Sequence, residues 1–169
     1  SLIGKPGSRH QLGTPCVVLD LNVMEANINS LAAHASAHSY EVRPVAKIHK
    51  SVEISRRQMD AGGRGPCCAT LFEAETMVDG GLSDVMLFTS VVTEPKLQRL
   101  SDLNARADGL IVVADHEANI DQLSECARRS GKSLKVLIDV EVGSGRTGIA
   151  DEQTVVDLAK KVADDDALE

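Results

Sequence analysis

The stretch LIVVADHEANIDQLSECARRSGKSLKVLIDV, residues 110–140, decides the fold. It opens on a continuous apolar run (110–115), passes through a segment of helical period, and closes on a second apolar run (134–140). A strand covered on both faces reads as an unbroken β-branched run, and two such runs joined by an amphipathic helix are the unit of a parallel sheet. The same alternation extends in both directions. Towards the N-terminus, the strand-like runs are CVVLDL (16–21), VRPVAK (42–47), PCCAT (66–70) and DVMLFT (84–89). Each leads into a helical pattern. In the first of these, Asn22 is the expected cap, and Val23, Ala26, Asn27, Ser30 and Leu31 form the expected inward stripe. In the second, Ser51 is the expected cap and Gly62 the stop. After residue 140 come the loop EVGSGRTG and the helical segment EQTVVDLAKKVADD.

Successive βα steps admit two architectures, an open doubly wound sheet or a (β/α)8 barrel. No GxGxxG or GxxxxGK[ST] follows any strand, which weakens dinucleotide and nucleotide-triphosphate readings. A barrel needs about 250 residues, whereas these 169 hold about five βα units. The helical pattern runs into VADDDALE without a Gly or Pro stop, and no Met stands at position 1. The expectation is therefore the N-terminal part of something larger, with residues 1–15 a loop and 16–169 a partial barrel.

Composition narrows the function. The chain is 43% hydrophobic and 25% charged, with a net charge of −7, one Tyr, two Phe and no Trp. An acidic chain poor in aromatics does not suit nucleic acid or an anionic membrane. No run approaches the ~18 apolar residues of a membrane span, and the first residues lack a signal-peptide core, so a cytoplasmic protein is expected. Cys16, Cys67, Cys68 and Cys126 contain no CxxC pair and read as buried free thiols.

In parallel α/β folds, chemistry gathers at the C-terminal ends of strands. Those ends carry Lys47, His49 and Lys50; Thr70; Thr89 and Ser90; Asp115 and His116; and Glu141 with the glycine-rich loop holding Arg146. Strand alternation puts Arg43, Val45 and Lys47 on one face. Arg43 then needs an acidic partner, for which Asp139 and Glu141 are candidates. An amine held at the mouth beside other cations is nucleophilic towards a carbonyl, whereas Lys50 falls on a solvated loop. The plain alternative is a basic rim, and it leads on pattern alone. For GSGRTG (143–148), one reading is a tight connection. The other is a backbone open to a ligand, with Arg146 offering an anion-binding fork. His49 either lies near a ligand or caps the next helix, with the structural role ahead. Asp115 and His116 are most simply a helix start with Asp115 as its cap.

Taken in order, TPCVVLDL, RPVAKIHKS, GPCCATLFEAE, DVMLFTSVV and IDVEVGSGRTGI resemble the pyridoxal-phosphate enzymes of the alanine-racemase-like fold (fold type III). The resemblance is to their D-threonine aldolase and D-serine dehydratase branch, and it spans Thr14 to Ile149. It implies the N-terminal part of a pyridoxal-phosphate-binding (β/α)8 barrel, with a C-terminal β domain outside this chain. It implies that Lys47 is the Schiff-base lysine and that Arg146 contacts the cofactor's phenolate oxygen. The implied activity is that of a lyase on D-β-hydroxy amino acids, D-threonine aldolase first. Alternatives are a D-serine dehydratase-like deaminating lyase, an alanine racemase-type isomerase and a non-catalytic cofactor-binding protein. A divalent metal (Mn, Mg or Zn) is also implied, with ligands outside this chain, and a homodimer stays open as the assembly. The sequence departs from the family pattern at Val45, where His is usual. It departs again at Ile48, where a small or polar residue is usual, and at Thr70, Leu71 and Phe72, where Lys-Leu-Gly is usual.

Overall fold

The computed structural model describes residues 2–169. Four parallel strands form one sheet: β1 (Cys67–Cys68), β2 (Val85–Leu87), β3 (Leu110–Ala114) and β4 (Lys135–Ile138). Their order in space is their order in the chain, β1-β2-β3-β4. Six α-helices accompany them: α1 (Leu21–Ala37), α2 (Val52–Asp60), α3 (Leu71–Asp79), α4 (Glu94–Arg106), α5 (Glu117–Ser130) and α6 (Glu152–Ala163). A doubly wound sheet reverses its strand order at a switch point, and no reversal occurs here.

Register separates the two faces of the sheet. Cys68, Leu87, Val112 and Val136 are aligned neighbours, as are Cys67, Met86, Ile111 and Lys135. The first row lies in the hydrophobic core, with Leu71, Met77, Leu97, Leu100, Leu103, Ile120, Leu123 and Leu158 from the helices. None of the second row belongs to that core, and Leu137 on the same face is 48% exposed. Helices on one face and an unbroken strand order make this an arc of a (β/α)8 barrel, as expected. Backbone pairing continues past both edges. Val45 bridges Cys67 on one side, and Leu134 bridges Leu168 on the other, with Val136 N donating to Glu169 O at 2.8 Å.

Two expected strands are not strands. Residues 16–20 lie outside the sheet with every side chain exposed, Val17 fully, so an apolar β-branched run has found no ladder to join. Residues 42–47 shorten to the single bridge at Val45, flanked by Cys67 N to Pro44 O at 2.7 Å and Ala46 N to Cys67 O at 2.8 Å. Pro44 has no N–H to give a ladder, and the chain turns at once, Lys50 N donating to Ala46 O at 2.7 Å. The other strands are shorter than their apolar runs.

Helix α1 also differs from expectation. Asp20, not Asn22, is its cap, its carboxylate accepting from Val23 N at 3.1 Å. Its inward stripe is Met24, Ile28, Ala32 and Ala35, leaving Val23 and Leu31 exposed. Ser51 caps α2 as expected, accepting from Ile54 N at 3.3 Å. Arg43 finds neither Asp139 nor Glu141. Its guanidinium donates to the backbone carbonyl of Asp84 just before β2. Gly65 allows this close passage, since a Cβ there would lie 2.1 Å from the same carbonyl oxygen. Of the four cysteines, Cys67, Cys68 and Cys126 are buried and free, and burial pushes the Cys68 thiol up to about 12. Cys16 is exposed, because the segment that was to bury it lies off the sheet. No helix among the described residues is long and apolar enough to cross a membrane.

Candidate functional site at the strand ends

All strands point the same way, so the loops that follow them share one edge of the sheet. The first carries Lys47, in the turn spanning 46–49 immediately after the Val45 bridge. Lys47 is exposed, and its amine makes no hydrogen bond or ion pair among the described residues. Lys50 differs: its Nζ lies 3.2 Å from Glu73 Oε1, and the Glu73 side chain is only 2% exposed. The two lysines that sequence pattern placed in one basic cluster are thus chemically distinct, one free and one salt-bridged to a buried carboxylate.

His49 between them has a structural task. Ser51 N donates to its Nδ1 at 3.0 Å, which fixes the entry into α2 and leaves the neutral ring's proton on Nε2. Burial lowers its pKa, favouring that neutral form.

Glu73 was not among the residues that sequence reading selected. Thr70 Oγ1 accepts from Glu73 N at 3.2 Å, and Glu73 Oε2 accepts from Ala69 N at 2.8 Å. This is a capping box displaced by one residue, and Thr-x-x-Glu at 70–73 is its sequence signal. Thr89 Oγ1 donates to Ala69 O at 2.7 Å and ties the ends of β1 and β2 together.

At the far side of the sheet, Glu141 organises the loop that bears Arg146. Its carboxylate accepts from Gly143 N, from Ser144 Oγ at 3.1 Å and from Arg146 N at 3.2 Å. Backbone amides of the loop, that of Gly145 first, hold the Glu141 carboxyl down at about 2. Since the folded value lies below the ordinary one of 4.5, this contribution to loop order is complete above pH 4.5 and is lost as pH falls towards 2. A carboxyl-carbon NMR titration of Glu141 is expected to give a midpoint near 2, and a midpoint at 4.5 would contradict the arrangement. The Arg146 guanidinium itself is exposed and makes no hydrogen bond or ion pair among the described residues. Asp115 is not a cap. Its carboxylate accepts from Gly148 N at 3.4 Å and draws the loop towards the end of β3, while His116 Nδ1 caps α5 by accepting from Ala118 N at 3.1 Å.

Lys47 and Arg146 therefore share an edge of the sheet but stand at opposite sides of it, with three strands from β1 to β3 between their own. Ordinary strand spacing puts about 19 Å between them along the curved sheet; four steps are half the circuit of an eight-stranded barrel, so the direct separation across its mouth is shorter, and no contact joins them. A cavity of about 490 Å³ lies elsewhere, beside α1, lined by Ile28, Leu31, Tyr40, Pro44 and Gln58 among others, and neither Lys47 nor Arg146 reaches it. Among the described residues no three His, Cys, Asp or Glu side chains are grouped to hold a metal ion. The residues present do suit an anionic aldehyde cofactor such as pyridoxal phosphate. Among the described residues they offer a primary amine without an acid partner and a guanidinium without one, each on a loop fixed by its own hydrogen bonds.

Comparison with known proteins identifies the family and the fold. The profile described as alanine racemase, N-terminal domain, matches residues 19–169. The chain is 38% identical over 161 residues to a D-threonine aldolase from Arthrobacter sp, covering 95% of this chain and 42% of that protein. It is 35% identical over 154 residues to a 3-hydroxy-D-aspartate aldolase from Paracoccus denitrificans, covering 90% of this chain and 40% of that protein. The crystal structure of D-threonine aldolase from Filomicrobium marinum superposes with a TM-score of 0.89 at 36% identity, over 93% of this chain and 42% of that one. The chain thus spans about two fifths of the length of these relatives.

Proposed function

Because the chain belongs to the family of alanine racemase N-terminal domains, we propose that the full-length protein is a pyridoxal-phosphate-dependent lyase of D-β-hydroxy amino acids, and among these a D-threonine aldolase. The observation that carries the proposal is Lys47: an amine without a partner among the described residues, at the C-terminal edge of a parallel sheet, three residues before a lysine that is already paired. The relatives' own names, two D-threonine aldolases and a 3-hydroxy-D-aspartate aldolase, support the reaction class.

Each residue has a defined part. Lys47 would hold the cofactor through its amine, and Arg146 would donate planar hydrogen bonds to an anionic oxygen of it. Bound there, the cofactor supplies an electron sink for the bond that breaks at Cα. Glu141 keeps the Arg146 loop folded, and Glu73 with Lys50 keeps the Lys47 turn folded. In the overall reaction Cα–Cβ breaks, the β-hydroxyl loses its proton, and Cα gains one, so D-threonine yields glycine and acetaldehyde.

The test is incubation of the full-length protein with D-threonine and with D-threo-3-hydroxyaspartate, followed by product analysis. Glycine with acetaldehyde or glyoxylate is the expected outcome, and prior chelation is expected to remove the activity through loss of a divalent metal. Ammonia with a keto acid would identify a dehydratase instead.

A further inference from the structure

The turn at 46–50 carries two lysines, and the protein distinguishes between them. Lys50 has φ 51°, a left-handed conformation that a non-glycine residue keeps only where its surroundings impose it. Two contacts do so: Lys50 N donates to Ala46 O at 2.7 Å, and Lys50 Nζ lies 3.2 Å from Glu73 Oε1. The second oxygen of Glu73 holds Ala69 N at 2.8 Å, so one carboxylate spans the ends of two neighbouring strand segments. A carboxylate so buried requires a counter-charge, and among the described residues Lys50 is the cation within ion-pair distance. Burial works to raise the Glu73 pKa, but the Ala69 amide and the Lys50 ammonium outweigh it, and the net shift is downward.

We propose that Glu73 selects between the two lysines, tying the Lys50 nitrogen into an ion pair so that Lys47 alone is free to reach an aldehyde cofactor. This rests on the reading of Lys47 given above. Capture requires a lone pair. The neutral amine adds to the carbonyl carbon, the oxygen leaves as water with the two protons of the nitrogen, and a carbon–nitrogen double bond remains. The Lys50 nitrogen is held against Glu73, away from that addition, whereas the Lys47 nitrogen is held by no described residue. Glu73 is therefore a positioning residue, acting through Lys50 and touching neither cofactor nor substrate.

The experiment compares full-length wild type, Glu73→Gln and Lys50→Arg. Each is incubated with pyridoxal phosphate and reduced with borohydride, which delivers hydride to the double bond and fixes the label. Digestion and mass spectrometry then locate it. Wild type is expected to carry the label on Lys47. In Glu73→Gln a second label on Lys50 is expected, at about five times the background that wild type shows there, the upper range for losing a partly exposed ion pair. Lys50→Arg keeps the charge pair and is expected to retain the wild-type extent of labelling at Lys47. If Glu73→Gln labels Lys47 alone, as wild type does, the selection by Glu73 is overturned and the assignment of Lys47 stands. Wild-type label on Lys50, or on no lysine, overturns both. Should Glu73→Gln fail to fold, trace acetylation of wild type, mapped lysine by lysine, decides the matter. Faster reaction at Lys47 than at Lys50 supports the selection, and equal rates overturn it.

Discussion

Replacing Lys47 with alanine is expected to lower the lyase activity of the full-length protein by more than about 10³-fold, the scale on which loss of a covalent catalytic group acts. The same variant is expected to lose the borohydride-fixed label. Its stability should stay within about 0.5 kcal/mol of wild type, as for other exposed positions without special contacts, because Lys47 is exposed and its amine bonds to no described residue. That combination separates chemistry from folding. Measuring steady-state rates beside a urea midpoint checks both halves, and a variant that kept substantial activity would remove Lys47 from the centre of the mechanism.

Leu123→Ala is expected to do the opposite, costing about 2–5 kcal/mol of stability through lost transfer energy and an unfilled cavity. Leu123 is fully buried in α5, within the core that joins the helices to Val112, Val136 and their neighbours on the covered face of the sheet. Against a total of about 5–15 kcal/mol for a typical domain, a loss of this size brings the protein close to unfolding. Urea denaturation of the full-length variant should show a lower midpoint with an unchanged slope. A shift below about 0.5 kcal/mol, the range of surface changes, would mean that this core does not carry the fold.

Much of the architecture was legible in the sequence, for reasons that particular segments make clear. The unit from 110 to 140 gave strand, helix and strand, with Gly131 in the left-handed conformation ending α5. The apolar pattern left barrel and doubly wound sheet both open, because the choice depends on the spatial order of strands and on which face the helices cover, and it was the resemblance of the ordered motifs to a known family that pointed to the barrel. Residues 16–20 and 42–47 show the limit of reading apolar runs as strands. Such runs report a preference for burial, whereas a strand also needs a neighbour to pair with and donors to do it, and Pro44 lacks one. The α1 cap shows a narrower limit: Asp20 and Asn22 are both suitable residues, and only the backbone decides between them.

At the candidate site, the separation of Lys47 from Lys50 was read from strand alternation, which does not reach Lys47 because residues 46–49 form a turn; the physical reason for the separation was out of sight. It lies in Glu73, which the fold brings beneath the turn from the start of α3. A capping signal at 70–73 could have drawn attention to Glu73, although nothing local shows that its carboxylate reaches back to Lys50. Arg146 was legible as a free guanidinium in a glycine-rich loop, while the role of Glu141 as the residue that folds that loop was not.

The most direct measurement is reductive trapping of wild-type full-length protein with pyridoxal phosphate and borohydride, followed by peptide mapping. The account predicts a single labelled site, Lys47. Label on Lys50 or on another lysine, or no label at all, would contradict it.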